Sequence, residues 1–216
     1  NRNQQWVDTD EEGAFLLTGL KQNDYRIKAN ADAEGSTRWR GVIEGVSSGT
    51  SGVIIKLEEP GRIKGRLMMS SGAPLPEDLE DLVELRLSTV SESDAAVKSK
   101  HGALSLNAEI KADGSFEITG AYPAEYEVRL SSELYVHSDA SQRYVYPSGE
   151  LLVTINEGGV ISGILLDPLG APAQGCEVTA STGESSGRPW GGRSRGDSYD
   201  ATSKEDGSFR IEGLKP

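Results

Sequence analysis

Asp113-Gly114-Ser115-Phe116-Glu117-Ile118-Thr119-Gly120-Ala121 is the stretch that decides how this chain is read. An Asp-Gly pair ahead of alternating residues marks a tight hairpin turn, because glycine takes the positive φ such a turn requires. After the turn, Phe116 and Ile118 fall on one parity, with Glu117 pointing the other way. A period of two with one apolar face is a half-buried strand. The pattern recurs as Glu12-Gly13-Ala14-Phe15-Leu16-Leu17-Thr18-Gly19-Leu20 and as Asp206-Gly207-Ser208-Phe209-Arg210-Ile211-Glu212-Gly213-Leu214. From phenylalanine to phenylalanine the spacing is 101 residues and then 93. The first two copies stay in step through Tyr25-Arg26-Ile27-Lys28 and Tyr126-Glu127-Val128-Arg129.

A second element repeats independently at a spacing of 98. Gly61-Arg62-Ile63-Lys64-Gly65-Arg66-Leu67 precedes Gly72-Ala73-Pro74, and Gly159-Val160-Ile161-Ser162-Gly163-Ile164-Leu165 precedes Gly170-Ala171-Pro172. Ahead of each stands an apolar strand, Val53-Ile54-Ile55-Lys56-Leu57 and Leu151-Leu152-Val153-Thr154-Ile155. A period of about 100 residues is the size of a domain, not of a solenoid unit. Residues 1–58 are expected to be the C-terminal half of a first β-sandwich repeat, 59–157 a complete repeat, and 158–216 the N-terminal half of a third. The fold class is therefore all-β: tandem β-sandwiches, incomplete at both ends. Completion of one half by the other half of a neighbouring chain is disfavoured, because the acidic-Gly-x-Phe strand occurs in both; an excerpt of a longer array is preferred. Leu57-Glu58-Glu59-Pro60-Gly61 and Ile155-Asn156-Glu157-Gly158-Gly159 leave almost no linker, so adjacent repeats are expected to form a stiff rod.

The order Gly-x-Ile-x-Gly-x-Leu, Gly-Ala-Pro, alternating strand, Asp-Gly-Ser-Phe-x-Ile-x-Gly and Tyr-x-Val-x-Leu resembles the carboxypeptidase regulatory-like repeat, a transthyretin-like (prealbumin-like) β-sandwich of about seven strands. The chain departs from the family at Lys21-Gln22-Asn23-Asp24-Tyr25 and Tyr122-Pro123-Ala124-Glu125-Tyr126, which lack the usual glycine before the tyrosine. The resemblance implies tandem seven-stranded Greek-key-type β-sandwiches and a secreted, cell-surface or periplasmic setting. It implies little about activity, since the family includes many accessory domains.

Composition narrows the function. The 216 residues carry a net charge of −12, which repels phosphate backbones and argues against nucleic acid as a partner. No apolar run approaches the ~20 residues of a membrane-spanning helix. The single cysteine, Cys176, has no internal disulfide partner and is expected in the core of the run Cys176-Glu177-Val178-Thr179-Ala180. Two histidines, His101 and His137, stand outside any motif for a metal or a nucleophile, so the chain reads as non-catalytic, with no cofactor and no zinc. The acidic stretches Asp8–Glu12 and Glu77–Asp81 lack calcium-loop spacing and read as solvated loops, the second with a turn of helix. A Lys–Asn isopeptide between Lys64 and Asn156 would need a carboxylate between them in the core. Alternation turns Glu117 outward, so this bond is disfavoured.

One loop suggests a ligand. Gly187-Arg188-Pro189-Trp190-Gly191-Gly192-Arg193-Ser194-Arg195 sets a tryptophan among glycines and arginines in an acidic protein. Trp190 with Arg188, Arg193 and Arg195 is suited to stack on a sugar or peptide. Packing of Trp190 across a neighbouring domain, or as a cap on the sandwich, is the alternative and is favoured. Trp6 and Trp39 are expected as core or edge residues. The expected function is a structural or spacer array of a large secreted or surface-attached bacterial protein, its partners the neighbouring repeats of the same chain. A carbohydrate- or peptide-binding module at the Trp190 loop, and an accessory domain beside an enzyme outside this segment, remain the alternatives.

Overall fold

The structure, a computed structural model, describes residues 5–32, 38–91, 93–181 and 198–215. It is all-β, with one helical turn. Two compact units divide the chain: residues 1–61 with Lys100–Gly102, and the remainder.

The first unit holds β1 (Asp24–Asp32) and β2 (Arg38–Ser47), an antiparallel pair in which Tyr25 faces Val46 and Asp32 faces Arg38. Its expected third strand, Val53–Leu57, forms no ladder among the described residues; Ile55 and Leu57 pack on β2 at Gly41, and a lone bridge joins Glu58 to Arg40. The acidic-Gly-x-Phe stretch at 12–20 likewise joins no sheet. Trp6 lies outside any strand and is 80% exposed, against the expectation of a core or edge site. Trp39 sits on β2, partly exposed.

The second unit contains a two-layer sandwich. Its strands are β3 (Gly61–Met69), β4 (Glu84–Thr89), β5 (Ser105–Asn107), β6 (Glu109–Ile110), β7 (Ser115–Ala121), β8 (Ala124–Ser131), β9 (Tyr135–His137), β10 (Arg143–Tyr146) and β11 (Leu151–Glu157). One sheet runs β10-β8-β4-β5 and the other β6-β7-β3-β11-β9. Short pieces extend the seven expected strands. β5 and β6 are one extended segment that changes sheets at Ala108, whose N–H donates to Leu85 O. The first and last long strands, β3 and β11, pair in parallel, Gly65 opposite Leu151 and Met69 opposite Ile155. Glu77–Asp81 does form a turn of helix, α1 (Leu79–Leu82), with Leu79 fully buried.

The parity read from sequence is the packing that forms. Ile63, Leu67, Leu85, Leu87, Phe116, Ile118, Tyr126, Val128, Val153 and Ile155 meet in one buried cluster. Each such side chain removed from water stabilises by about 1.5–3 kcal/mol, before the entropy of ordering it. The two sequence motifs also explain each other. The ring of Phe116 fills the space a side chain on Gly65 would need, and Phe209 lies 2.8 Å from the corresponding point on Gly163. Gly114 (φ 78°) and Gly207 (φ 74°) close the Asp-Gly turns. Their carbonyls accept from Leu67 N–H and Leu165 N–H, both at 2.8 Å, and so fasten each turn to the first strand of its repeat.

After β11 the chain passes through Gly158 alone into β12 (Gly159–Ile164), then β13 (Glu177–Ser181), β14 (Ser198–Thr202) and β15 (Ser208–Leu214). β12 pairs with β15, and β13 with β14. Cys176 precedes β13 and is exposed, correcting the expected core position. Its N–H donates to Ser203 Oγ at 3.0 Å, which holds the backbone while the thiol faces outward.

Candidate functional site

The sequence candidates Trp190, Arg188, Arg193 and Arg195 lie outside the described residues. Among the described residues the structure brings together a cluster around Glu58, another around Glu125, and a groove rimmed by carboxylates.

In the first unit Glu58 meets Lys100 and His101. Its carboxylate accepts from Lys100 Nζ, and His101 Nε2 lies 3.2 Å from Oε2. The bridge to Arg40 positions Glu58, with Glu58 N–H to Arg40 O at 2.8 Å. The Lys100 bond, aided by His101, holds the Glu58 carboxyl below the usual range. Burial pushes the His101 imidazole down, while Glu58 pulls the other way. A His–carboxylate pair is the orienting half of many catalytic sets. Here the imidazole side chain is fully enclosed, closed to any substrate, and sits beside the cations Lys100 and Arg40.

In the second unit Glu125 is buried on β8. It accepts from Ala96 N–H and from Arg143 Nη1 at 3.2 Å. Its own backbone bonds Val90 N–H and Val97 O, so one residue ties down both limbs of the 90–97 loop. The Ala96 bond, then Arg143, lowers its pKa. Nothing in the parity of Ala124-Glu125-Tyr126 signals this role, because the partner segment has no periodicity. His137 is similarly structural, with Nε2 2.8 Å from Gln142 Oε1.

The third feature is a shallow groove at one end of the sandwich, with Glu80, Asp81, Glu84 and Glu133 around Leu82, Ile110 and Leu134. Its carboxylates are dispersed: among the described residues no three or more His, Cys, Asp or Glu side chains gather as metal ligands. The isopeptide is excluded by register. Asn156 bonds Ser70 Oγ and Ser138 Oγ, whereas Lys64 is exposed and stands beyond the Leu151 end of β11, about 20 Å away at ~3.3 Å per residue.

The turn before Tyr126 departs from the family pattern yet is firmly tied. Tyr126 Oη donates to Tyr122 O at 2.8 Å and accepts from Tyr122 N–H at 3.1 Å. Tyr25 Oη makes the equivalent bond to Lys21 O at 2.7 Å. A tyrosine hydroxyl reaching back four residues does the work of the missing glycine.

No family model matches the chain, and no curated protein sequence matches it. Among solved structures the chain is similar to one titled "Structure of the Streptococcal ancillary pilin", at 17% identity and a TM-score of 0.34. The alignment covers 91% of this chain and 64% of that one, so the chain spans less than two thirds of its length. A superposition this loose does not distinguish one β-rich chain from another. No helix among the described residues is long and apolar enough to cross a membrane.

Proposed function

We propose that the chain is a non-catalytic structural spacer, an array of carboxypeptidase regulatory-like β-sandwich repeats from a large secreted or surface-attached bacterial protein. One observation carries this reading: the junction between β11 and β12. A single residue, Gly158, separates the strands, and its N–H donates to Leu134 O at 2.7 Å. Gly213, at φ 72°, packs so closely on the Glu133 backbone that a side chain there would overlap the carbonyl. The Glu133–Leu134 turn is thereby wedged against the start and end of the β12·β15 ladder. A junction fixed by backbone contacts transmits orientation from one repeat to the next, which is what a spacer requires and a hinge does not.

Spin labels at Lys111 and Lys204, both exposed, in a Cys176→Ser background test it. The expected result is one narrow distance distribution, broadened when four glycines are inserted after Gly158. A distribution already broad in the parent chain overturns the spacer reading.

A further inference from the structure

We propose that the acid-rimmed groove at the end of the complete sandwich docks the arginine- and tryptophan-bearing run 187–195 of the same chain, a run that lies outside the described residues. The groove belongs to one repeat alone. The offset between repeats is 98 at Gly65 and Gly163 but 93 at Arg86 and Thr179, which hold equivalent ladder positions opposite Asn107 and Asp200. The complete repeat therefore carries five more residues between β3 and β4, in the stretch that holds α1. That stretch supplies Glu80, Asp81 and Leu82 to the groove, and Ile110 and Leu134 complete its apolar floor. All of its walls belong to the complete sandwich.

The chemistry of the groove calls for a cationic occupant with an apolar anchor. Among the described residues it is lined by Glu80, Asp81, Glu84 and Glu133 and by no lysine or arginine. Arg86 pairs with Glu84, whereas Glu80, Asp81 and Glu133 enter no ion pair with a described residue. The floor leaves Leu82 and Ile110 half-buried and Leu134 exposed, and the volume of about 660 Å³ is ample for a large side chain. The run 187–195 offers three arginines, no acid and Trp190 within nine residues. An indole on this floor with guanidinium groups at the rim removes apolar surface from water and pairs the carboxylates at once.

The internal repeat favours the same chain as the source. β4–β5 and β13–β14 are equivalent hairpins, and their connections, 90–104 and 183–197, are equally long. Lys100–Gly102 of the first connection belong to the first unit, and Lys100 bonds Glu58 there. At the offset of 93 the counterpart of Lys100 is Arg193, so a cation recurs at the position that bonds Glu58. Glu58 itself, at the offset of 98, has the uncharged Asn156 as its counterpart. The carboxylates at that end of the sandwich are Glu157, next to Asn156, and Glu133, which lines the groove and whose backbone abuts Gly213 of the third repeat.

Fluorescence of the full chain tests this. With Trp6→Phe and Trp39→Phe, Trp190 is the single indole. Its emission is expected to lie to the blue of that of a synthetic peptide of residues 187–195, and to do so at every protein concentration. Leu134→Asp, and separately Asp81→Lys with Glu133→Lys, are each expected to return it to the free-peptide position. All three positions are exposed, so both variants keep the sandwich, which an unchanged unfolding midpoint verifies. Parent emission at the free-peptide position, a blue shift that both groove variants leave in place, or one that appears only as concentration rises overturns the proposal. It goes beyond the spacer reading and fails separately from it, because the Lys111–Lys204 distance can stay sharp while Trp190 stands in water.

Discussion

The ring of Phe116 occupies the volume that a side chain on Gly65 would require. Two motifs roughly fifty residues apart are thus one packing unit, repeated by Phe209 and Gly163. Gly65→Ala should force the ring or the β3–β11 backbone aside and destabilise the sandwich by about 1–3 kcal/mol. Phe116→Ala alone should cost about 3–5 kcal/mol. The double variant should cost less than the sum only by the ring's share of the overlap, because the Leu151 carbonyl oxygen still meets the added methyl. Urea denaturation of the four proteins measures the coupling, and additive costs would show that the two positions are independent.

The hydroxyl of Tyr126 serves both the N–H and the C=O of Tyr122 in a fully buried site. Tyr126→Phe should destabilise by about 1–3 kcal/mol, since a buried donor and acceptor lose their partner together. Tyr25→Phe removes a similar bond at a partly exposed site, where water replaces the hydroxyl, and should cost well under half as much. Equal costs in thermal unfolding would contradict this dependence on burial.

Acid should loosen the 90–97 loop. Glu125 is held below its ordinary 4.5 by Ala96 N–H and Arg143. A carboxyl that binds its proton more weakly in the fold adds stability that is whole above 4.5 and is lost as pH falls through the lowered value. Asp113, Asp139 and Asp206, each lowered by the serine two residues on, act in the same direction below 3.8. Amide exchange at Ala96 and Val97 should therefore accelerate, relative to the sandwich core, as pH falls below 4.5. Glu125→Gln should show the faster exchange already at pH 7 and little further change with acid.

The imidazole of His101 should titrate below 6.5, because burial disfavours its charged form. Glu58 opposes that shift, so Glu58→Gln should lower the midpoint further, read from the His101 ring protons by NMR. The sign for stability follows. The unfolded chain binds the proton more readily, so this contribution is whole above pH 6.5 and declines as pH falls from there to the folded midpoint. A midpoint above 6.5 would contradict the enclosed geometry.

The fold was readable wherever the determinant was local or periodic. Asp113-Gly114 gave its turn and Phe116, Ile118, Tyr126 and Val128 their parity, because a two-residue period is written in the sequence itself. Non-local determinants were not readable. Val53–Leu57 has the pattern of a strand and forms none: Ile55 and Leu57 pack on β2 at Gly41, but among the described residues only the Arg40–Glu58 bridge forms there, and side-chain packing without a ladder leaves no periodic signal. Cys176 shares the parity of Val178 but stands one residue before β13, outside the ladder, and is exposed. Glu125 and the Glu58–Lys100–His101 cluster join segments 28 to 43 residues apart, such as Val97 with Glu125 and Glu58 with His101, a separation that no motif marks.

The parallel pairing of β3 with β11 has a mechanical consequence. The chain enters the sandwich at the start of β3 and leaves at the end of β11, so tension applied through the chain pulls the two neighbouring strands along their length in opposite directions. The ladder from Gly65–Leu151 to Met69–Ile155 is then loaded in shear, all its hydrogen bonds at once, instead of being unzipped one at a time from an end. Resistance to stretching therefore resides in this one ladder, whose length sets how much force the sandwich bears before it opens.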